Sequence, residues 1–140
     1  MNIVVLFESM TGTTERVAQL VGAAARAAGA EVSVRDVSEP DLHELAAADA
    51  VVIGTWTDGL ILFGMRPGGS GNIRALPVIQ NKRVGIFCTY AVNPGRTLDK
   101  LEAIVQGRGG EVVARAAFHR KDLGAGLAEF VADIVVSVDA

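Results

Sequence analysis

Four hydroxyl side chains and one glycine crowd a single junction of the chain, at Ser9, Thr11, Gly12, Thr13 and Thr14. An apolar run, Asn2–Phe7, ends just before them, and a helical pattern begins at Thr13. The first amides of a helix have no partner within it, and the helix dipole favours negative charge at that end. Hydroxyls and free amides converging there form a site for an anion such as a phosphate. The competing expectation is that these residues only cap the helix, which Ser, Thr and Gly commonly do. The one tryptophan, Trp56, and the one tyrosine, Tyr90, each stand just after another apolar run. Together they are suited to stacking on a flat ring system, a contact worth roughly 1–3 kcal/mol per ring in nucleic-acid sites.

Other phosphate chemistries are excluded by spacing. No Lys or Arg precedes Arg16 in the first loop, and the Gly-x-x-x-x-Gly-Lys-Ser/Thr pattern is missing, so a nucleoside-triphosphatase does not fit. Gly12 alone does not make a Gly-x-Gly-x-x-Gly dinucleotide fingerprint, although Asp36 stands where a ribose-binding acid would. Ser9 lacks the Gly-x-Ser-x-Gly elbow of a hydrolase nucleophile. A response-regulator domain needs an aspartate after the third strand, where this chain has Gly54-Thr55.

The elements that must position these loops follow from periodicity. Strands are expected at Asn2–Phe7, Glu31–Val37, Ala50–Gly54, Arg83–Cys88 and Glu111–Phe118. Most are nearly continuous apolar runs, as in strands buried on both faces of a parallel sheet. Helices are expected at Thr13–Ala28, Pro40–Ala48, Gly71–Leu76, Thr97–Gly107 and about Lys121–Ser137. Val17, Leu20, Val21, Ala24 and Ala28 would line one helix face. Leu98, Leu101, Ile104 and Val105 would line another, and Leu123, Leu127, Phe130, Val131 and Ile134 a third. Gly29 and Gly107 suit left-handed helix stops.

Strict strand–helix alternation with right-handed crossovers gives an α/β fold of three layers, with helices on both faces of a five-stranded parallel sheet. The expected strand order is 2-1-3-4-5, with one domain over residues 1–140. Ligands of such sheets bind beyond the carboxyl ends of the strands, here the loops Glu8–Thr14, Thr55–Asn72 and Thr89–Gly95. The second loop is long for a compact α/β domain and rich in glycine. Its apolar stretch Leu60–Met65 reads as a lid or as a partner surface.

The chain has 140 residues and a formal net charge of −3, with 50% hydrophobic and 21% charged residues, so a packed core is expected and disorder is not. No basic block is present to neutralise nucleic-acid phosphates. The single Cys88 excludes an intramolecular disulfide, and the cytoplasm is the expected compartment. Cys88 reads as a core residue, and His43 and His119 as packing or surface residues without metal-ligand spacing. The Arg115-to-Lys121 cluster reads as solvated charge or as a docking patch for an acidic partner. No stretch reaches the ~20 apolar residues of a membrane span.

Ser9-x-Thr11-Gly12-x-Thr14 resembles the Thr/Ser-x-Thr-Gly-x-Thr phosphate loop of the flavodoxins, and the whole chain resembles a short-chain member of that family. The resemblance implies FMN as cofactor and electron transfer between redox protein partners, a reductase and an acceptor. It implies a phosphate site at Ser9, Met10, Thr11, Gly12, Thr13 and Thr14. Thr55, Trp56, Thr57, Asp58 and Gly59 would lie at the flavin ring, with Trp56 over one face and Asp58-Gly59 near the flavin N5. Tyr90 would cover the other face, with the backbones of Thr89, Tyr90, Asn93 and Gly95 at the pyrimidine edge. The stretch Leu60–Pro67 is apolar and basic where flavodoxins commonly present acidic residues. The expected role is a carrier rather than a stand-alone enzyme. An FMN-dependent quinone reductase or protoporphyrinogen oxidase, and a flavin-free binding module of the same fold, are the alternatives.

Overall fold

The computed structural model describes residues 1–9, 12–58, 66–67, 73, 76 and 79–139, with the backbone alone at 58, 66 and 67. In chain order the elements are β1 (Asn2–Phe7), α1 (Thr13–Ala27), β2 (Glu31–Asp36), α2 (Leu42–Ala47) and β3 (Ala50–Asp58). There follow β4 (Arg66–Pro67), β5 (Arg83–Tyr90), α3 (Thr97–Gly107), β6 (Glu111–His119) and α4 (Leu127–Asp139). Five strands pair in parallel in the order β2-β1-β3-β5-β6, which is 2-1-3-4-5 when the parallel strands are counted along the chain. The short β4 pairs antiparallel with Thr57 and Asp58 at the end of β3.

Alternate residues of the central strands feed two cores. Ile3, Val5, Phe7, Val52 and Phe87 pack against Val17 and Val21 of α1 and Phe130 and Ile134 of α4. On the other face Val4, Leu6, Val51, Ile53 and Ile86 pack with Leu45 of α2 and Leu101 and Val105 of α3. Burying each such side chain contributes about 1.5–3 kcal/mol, so both helix layers are held by the sheet. The first core has an aromatic centre in which Phe87, Phe118 and Phe130 meet edge to face at 5.9–6.2 Å. The Phe87 ring lies over Gly54, where a Cβ would run into it.

Several sequence expectations change in detail. β3 continues through Thr55–Asp58 because it stays paired with β5 to Trp56 and then with β4, so the second loop begins later than Thr55. The β2 strand ends at Asp36, whose carboxylate accepts hydrogen bonds from the Ser38 amide and hydroxyl in the following turn. The α2 helix starts at Leu42 because the Asp41 carboxylate caps it by accepting from the Glu44 amide at 3.0 Å. The last helix starts at Leu127, since Gly126 is left-handed (φ 82°) and the preceding residues form turns. Leu20 is exposed, and Val17, Ala18, Val21, Gly22 and Ala25 form the narrower stripe that is buried. Gly29 is left-handed as expected (φ 96°), but after α3 that role falls to Gly109 (φ 85°) rather than Gly107. Of the expected Gly71–Leu76 helix, Ile73 and Leu76 are described, and both are buried in the second core.

The outer edge of the sheet is tied by ions. Arg35 of β2 donates from both sides of its guanidinium to Glu44 of α2 at 2.8 and 2.9 Å, and the Ser33 hydroxyl donates to the same carboxylate. These bonds hold the Glu44 carboxyl at about 2, below its ordinary 4.5. The depressed value means that the pair stabilises the fold fully above about pH 4.5 and ceases to do so as the pH falls towards 2. Glu44→Gln is therefore expected to lower the melting temperature modestly at pH 7, with the difference from the parent shrinking between pH 4.5 and 2. Gly54→Ala is expected to cost about 3 kcal/mol or more in urea unfolding, because the Phe87 ring has no free volume to move into.

Candidate cofactor site

The carboxyl ends of β1, β3 and β5 meet at the strand-order reversal, and the sequence-predicted residues converge there. The floor is closed by backbone bonds, with the Glu8 amide donating to Gly54 O at 2.9 Å and the Val37 amide to Phe7 O at 2.8 Å. Gly12 takes the N-cap position of α1 in a left-handed conformation (φ 92°), and open space surrounds the point where a Cβ would lie. Among the described residues no side chain caps α1. Ser9 Oγ instead accepts from the Gly12 amide at 2.9 Å, one residue before the helix. The capping alternative therefore does not describe this helix start among the described residues. Met10 and Thr11 lie outside the described residues.

Thr14 turns inward. Its hydroxyl is buried and shares a 2.9 Å hydrogen bond with the buried Thr89 hydroxyl at the end of β5. Each hydroxyl carries one proton, so whichever one accepts in this bond still has its own proton to donate. The bond ties the first turn of α1 to the third loop across the sheet end. Thr13 remains half-buried beside it.

The aromatics bracket the same edge. Trp56 pairs in register with Thr89, so strand alternation sets both on the α1 side of the sheet. Trp56 is half-buried, and its buried Nε1 has no hydrogen-bond partner among the described residues. A buried indole N–H without an acceptor is costly, and a ligand acceptor would remove the cost. Tyr90, one residue further along β5, falls on the opposite side. It meets His119 of β6 edge to face at 5.1 Å. His119 Nδ1 accepts from the Lys121 amide at 3.1 Å, and the Arg120 amide donates to Tyr90 O at 2.9 Å. His119 was not among the expected site residues. The signal that finds it is the β5–β6 register, which pairs Tyr90 with His119.

Beyond Tyr90, the Asn93 side chain accepts from the Gly95 amide at 2.7 Å, and Gly95 is left-handed (φ 55°). The Asn93 carbonyl group thus orders the third loop from within. Thr55 is buried and Thr57 half-buried within β3, and the Asp58 backbone ends that strand. Gly59 lies outside the described residues. Cys88 is fully buried beneath the site, and burial pushes its thiol up to about 11 against smaller pulls from Thr57 and Arg115. A thiol held uncharged is a packing group, not a nucleophile. Among the described residues no three His, Cys, Asp or Glu side chains are grouped to hold a metal ion.

An uncapped helix start, a left-handed glycine in open space and an indole N–H that lacks an acceptor fit a phosphate joined to a flat, acceptor-rich ring system. The flavodoxin family profile matches residues 5–130. The Megasphaera elsdenii flavodoxin is 25% identical over 112 residues, covering 80% of this chain and 82% of its own. The solution structure of that flavodoxin in its two-electron reduced form superposes with a TM-score of 0.77 over 99% of both chains, at 21% identity. A short-chain flavodoxin associated with a non-canonical PDU bacterial microcompartment superposes with a TM-score of 0.76 over 99% of both chains, at 18% identity. This chain belongs to the flavodoxin family, the FMN-binding electron-transfer proteins with this fold. No helix among the described residues is long and apolar enough to cross a membrane.

The Thr14–Thr89 bond makes a prediction of its own. Thr14→Val and Thr89→Val each leave a buried hydroxyl unpaired and are expected to cost about 1–3 kcal/mol in urea unfolding. The double substitution removes both hydroxyls and is expected to cost less than the sum.

Proposed function

We propose that the chain is an FMN-based carrier that takes electrons from a reductase and passes them to an acceptor protein, with the cytoplasm as its compartment. The observation that carries the site assignment is the pairing of the open α1 start with the unpartnered Trp56 Nε1 at one end of the sheet. In this reading the phosphate lies at Ser9, Met10, Thr11, Gly12, Thr13 and Thr14. No Lys or Arg stands in that loop before Arg16, so amides, hydroxyls and the helix dipole supply the attraction. Trp56 flanks the ring from β3 and Tyr90 from β5, with Thr55, Thr57 and the backbones of Thr89, Asn93 and Gly95 around it. Asn93 acts by fixing the loop, since its side chain already engages the Gly95 amide.

Bound FMN supplies the redox chemistry, accepting and releasing electrons at its ring. The protein's part is to bind it, orient it and exclude water from it. Gly59 in the Asp58-Gly59 peptide gives the backbone there freedom to meet a ring nitrogen with either its N–H or its C=O. Nothing in the site requires a side chain to act as acid or base. His119 holds Tyr90 edge-on and keeps an Nδ1 acceptor engaged with the Lys121 amide, which fixes the Tyr90 ring against the sheet end.

Flavin fluorescence during titration of the flavin-free protein tests the assignment. The parent is expected to quench FMN tightly, and Trp56→Ala and Tyr90→Ala are each expected to weaken binding by roughly 1–3 kcal/mol, or about 5- to 150-fold. Unchanged affinity in both variants would place the ring elsewhere. Bound FMN is expected to turn over with NAD(P)H only when a separate reductase is added, and turnover without one would favour an enzyme of this fold.

A further inference from the structure

Charge is divided across the mouth of the site. On the β1–β2 side stand Glu8, Glu15, Asp36 and Glu39 against Arg16. On the β5–β6 side the two segments Tyr90–Lys100 and His119–Asp122 carry Arg96, Lys100, Arg120 and Lys121 against Asp99 and Asp122. Asp99 is already engaged, meeting Arg96 at 3.8 Å and Arg115 at 2.8 Å, and Glu102 meets Arg115 at 2.6 Å. Arg120 and Lys121 are exposed, and no described carboxylate lies within ion-pair distance of either.

These cations are fixed to the aromatic edge rather than scattered. The Arg120 amide is bonded to Tyr90 O and the Lys121 amide to His119 Nδ1, so the turn that bears them is anchored on the Tyr90–His119 pair. Val92, two residues beyond Tyr90 in the third loop, is 72% exposed, and Arg96 follows at the end of that loop. An exposed apolar residue on a loop tied to a turn that carries two cations, on a protein whose net charge is −3, has the composition of a small docking surface with directed electrostatics.

We propose that the β5–β6 rim, formed by the third loop with Val92 and Arg96 and by the adjoining turn with Arg120 and Lys121, docks the acidic face of a redox protein partner. The proposal rests on the electron-carrier reading above. Opposite charge at the rim steers the encounter and orients Tyr90 and the flavin edge towards the partner, while the acidic β1–β2 side turns the wrong orientation away.

The test uses the full FMN-loaded protein, reduced beforehand, with plastocyanin as an acidic one-electron acceptor and cytochrome c as a basic one. Flavin quenching is measured on the same samples. The bimolecular rate with plastocyanin is expected to fall about tenfold between 20 and 200 mM NaCl, as salt screens the attraction. Arg120→Glu combined with Lys121→Glu keeps both anchoring backbone bonds. It is expected to lower the low-salt plastocyanin rate about tenfold and to raise the cytochrome c rate. Amide NMR shifts on adding plastocyanin are expected at 90–96 and 119–122. Retained FMN with a plastocyanin rate that rises with salt, or that the double variant leaves unchanged, overturns the docking surface. NMR shifts confined to the β1–β2 side overturn it equally. A parent that fails to bind FMN overturns the carrier reading instead.

Discussion

The site depends on a helix that begins without a cap. Among the described residues no side chain caps the N-terminus of α1, where Gly12 enters left-handed and Ser9 turns its oxygen to the Gly12 amide rather than to the helix. Such an end is unfavourable when it is left dry and attractive to an anion. The Thr14–Thr89 bond holds it against the end of β5. Neighbouring strands then present Trp56 and Tyr90 at the same edge, on opposite sides of the sheet. Beneath them Phe87 fills the space that Gly54 leaves, so the strand ends rest on a packed aromatic core.

In the proposed site the attraction for phosphate comes from the backbone and hydroxyls rather than from charged side chains. A loop without cations can bind phosphate with dipoles and hydrogen bonds alone, which leaves lysine and arginine free for other work. Four of the cations, Arg96, Lys100, Arg120 and Lys121, stand in the two segments of the β5–β6 side. In the proposed reading, holding the cofactor and meeting a partner use different chemistry on adjoining surfaces. The buried, uncharged Cys88 thiol keeps reactive sulfur out of a redox site.

Much of this was legible in the sequence because burial on both faces of a parallel sheet writes continuous apolar runs. The β1 and α3 boundaries fall where the pattern puts them, and the order of the five parallel strands follows from the alternation. What escaped was set by pairing and local capping. The extension of β3 to Asp58 depends on hydrogen bonds to β5 and β4, which no hydropathy pattern records. The α2 start was decided by one Asp41 carboxylate, and the α4 start by a left-handed Gly126. In the site, residue types named Trp56 and Tyr90, but only strand register could show that His119 supports Tyr90 and that Thr14 reaches Thr89. Met10 and Thr11 stand as expectations of the phosphate-loop motif, and Gly59 of the family resemblance.

The account turns on the open α1 start holding a phosphate, and parallel titration of the flavin-free protein with FMN and with riboflavin tests that most directly. Both ligands carry the same ring, and riboflavin lacks the phosphate. The account predicts tight quenching of FMN fluorescence and quenching of riboflavin at least tenfold weaker, the difference that about 1.4 kcal/mol of phosphate contacts would make. Equal affinity for the two would contradict it, because the α1 start would then contribute nothing to binding.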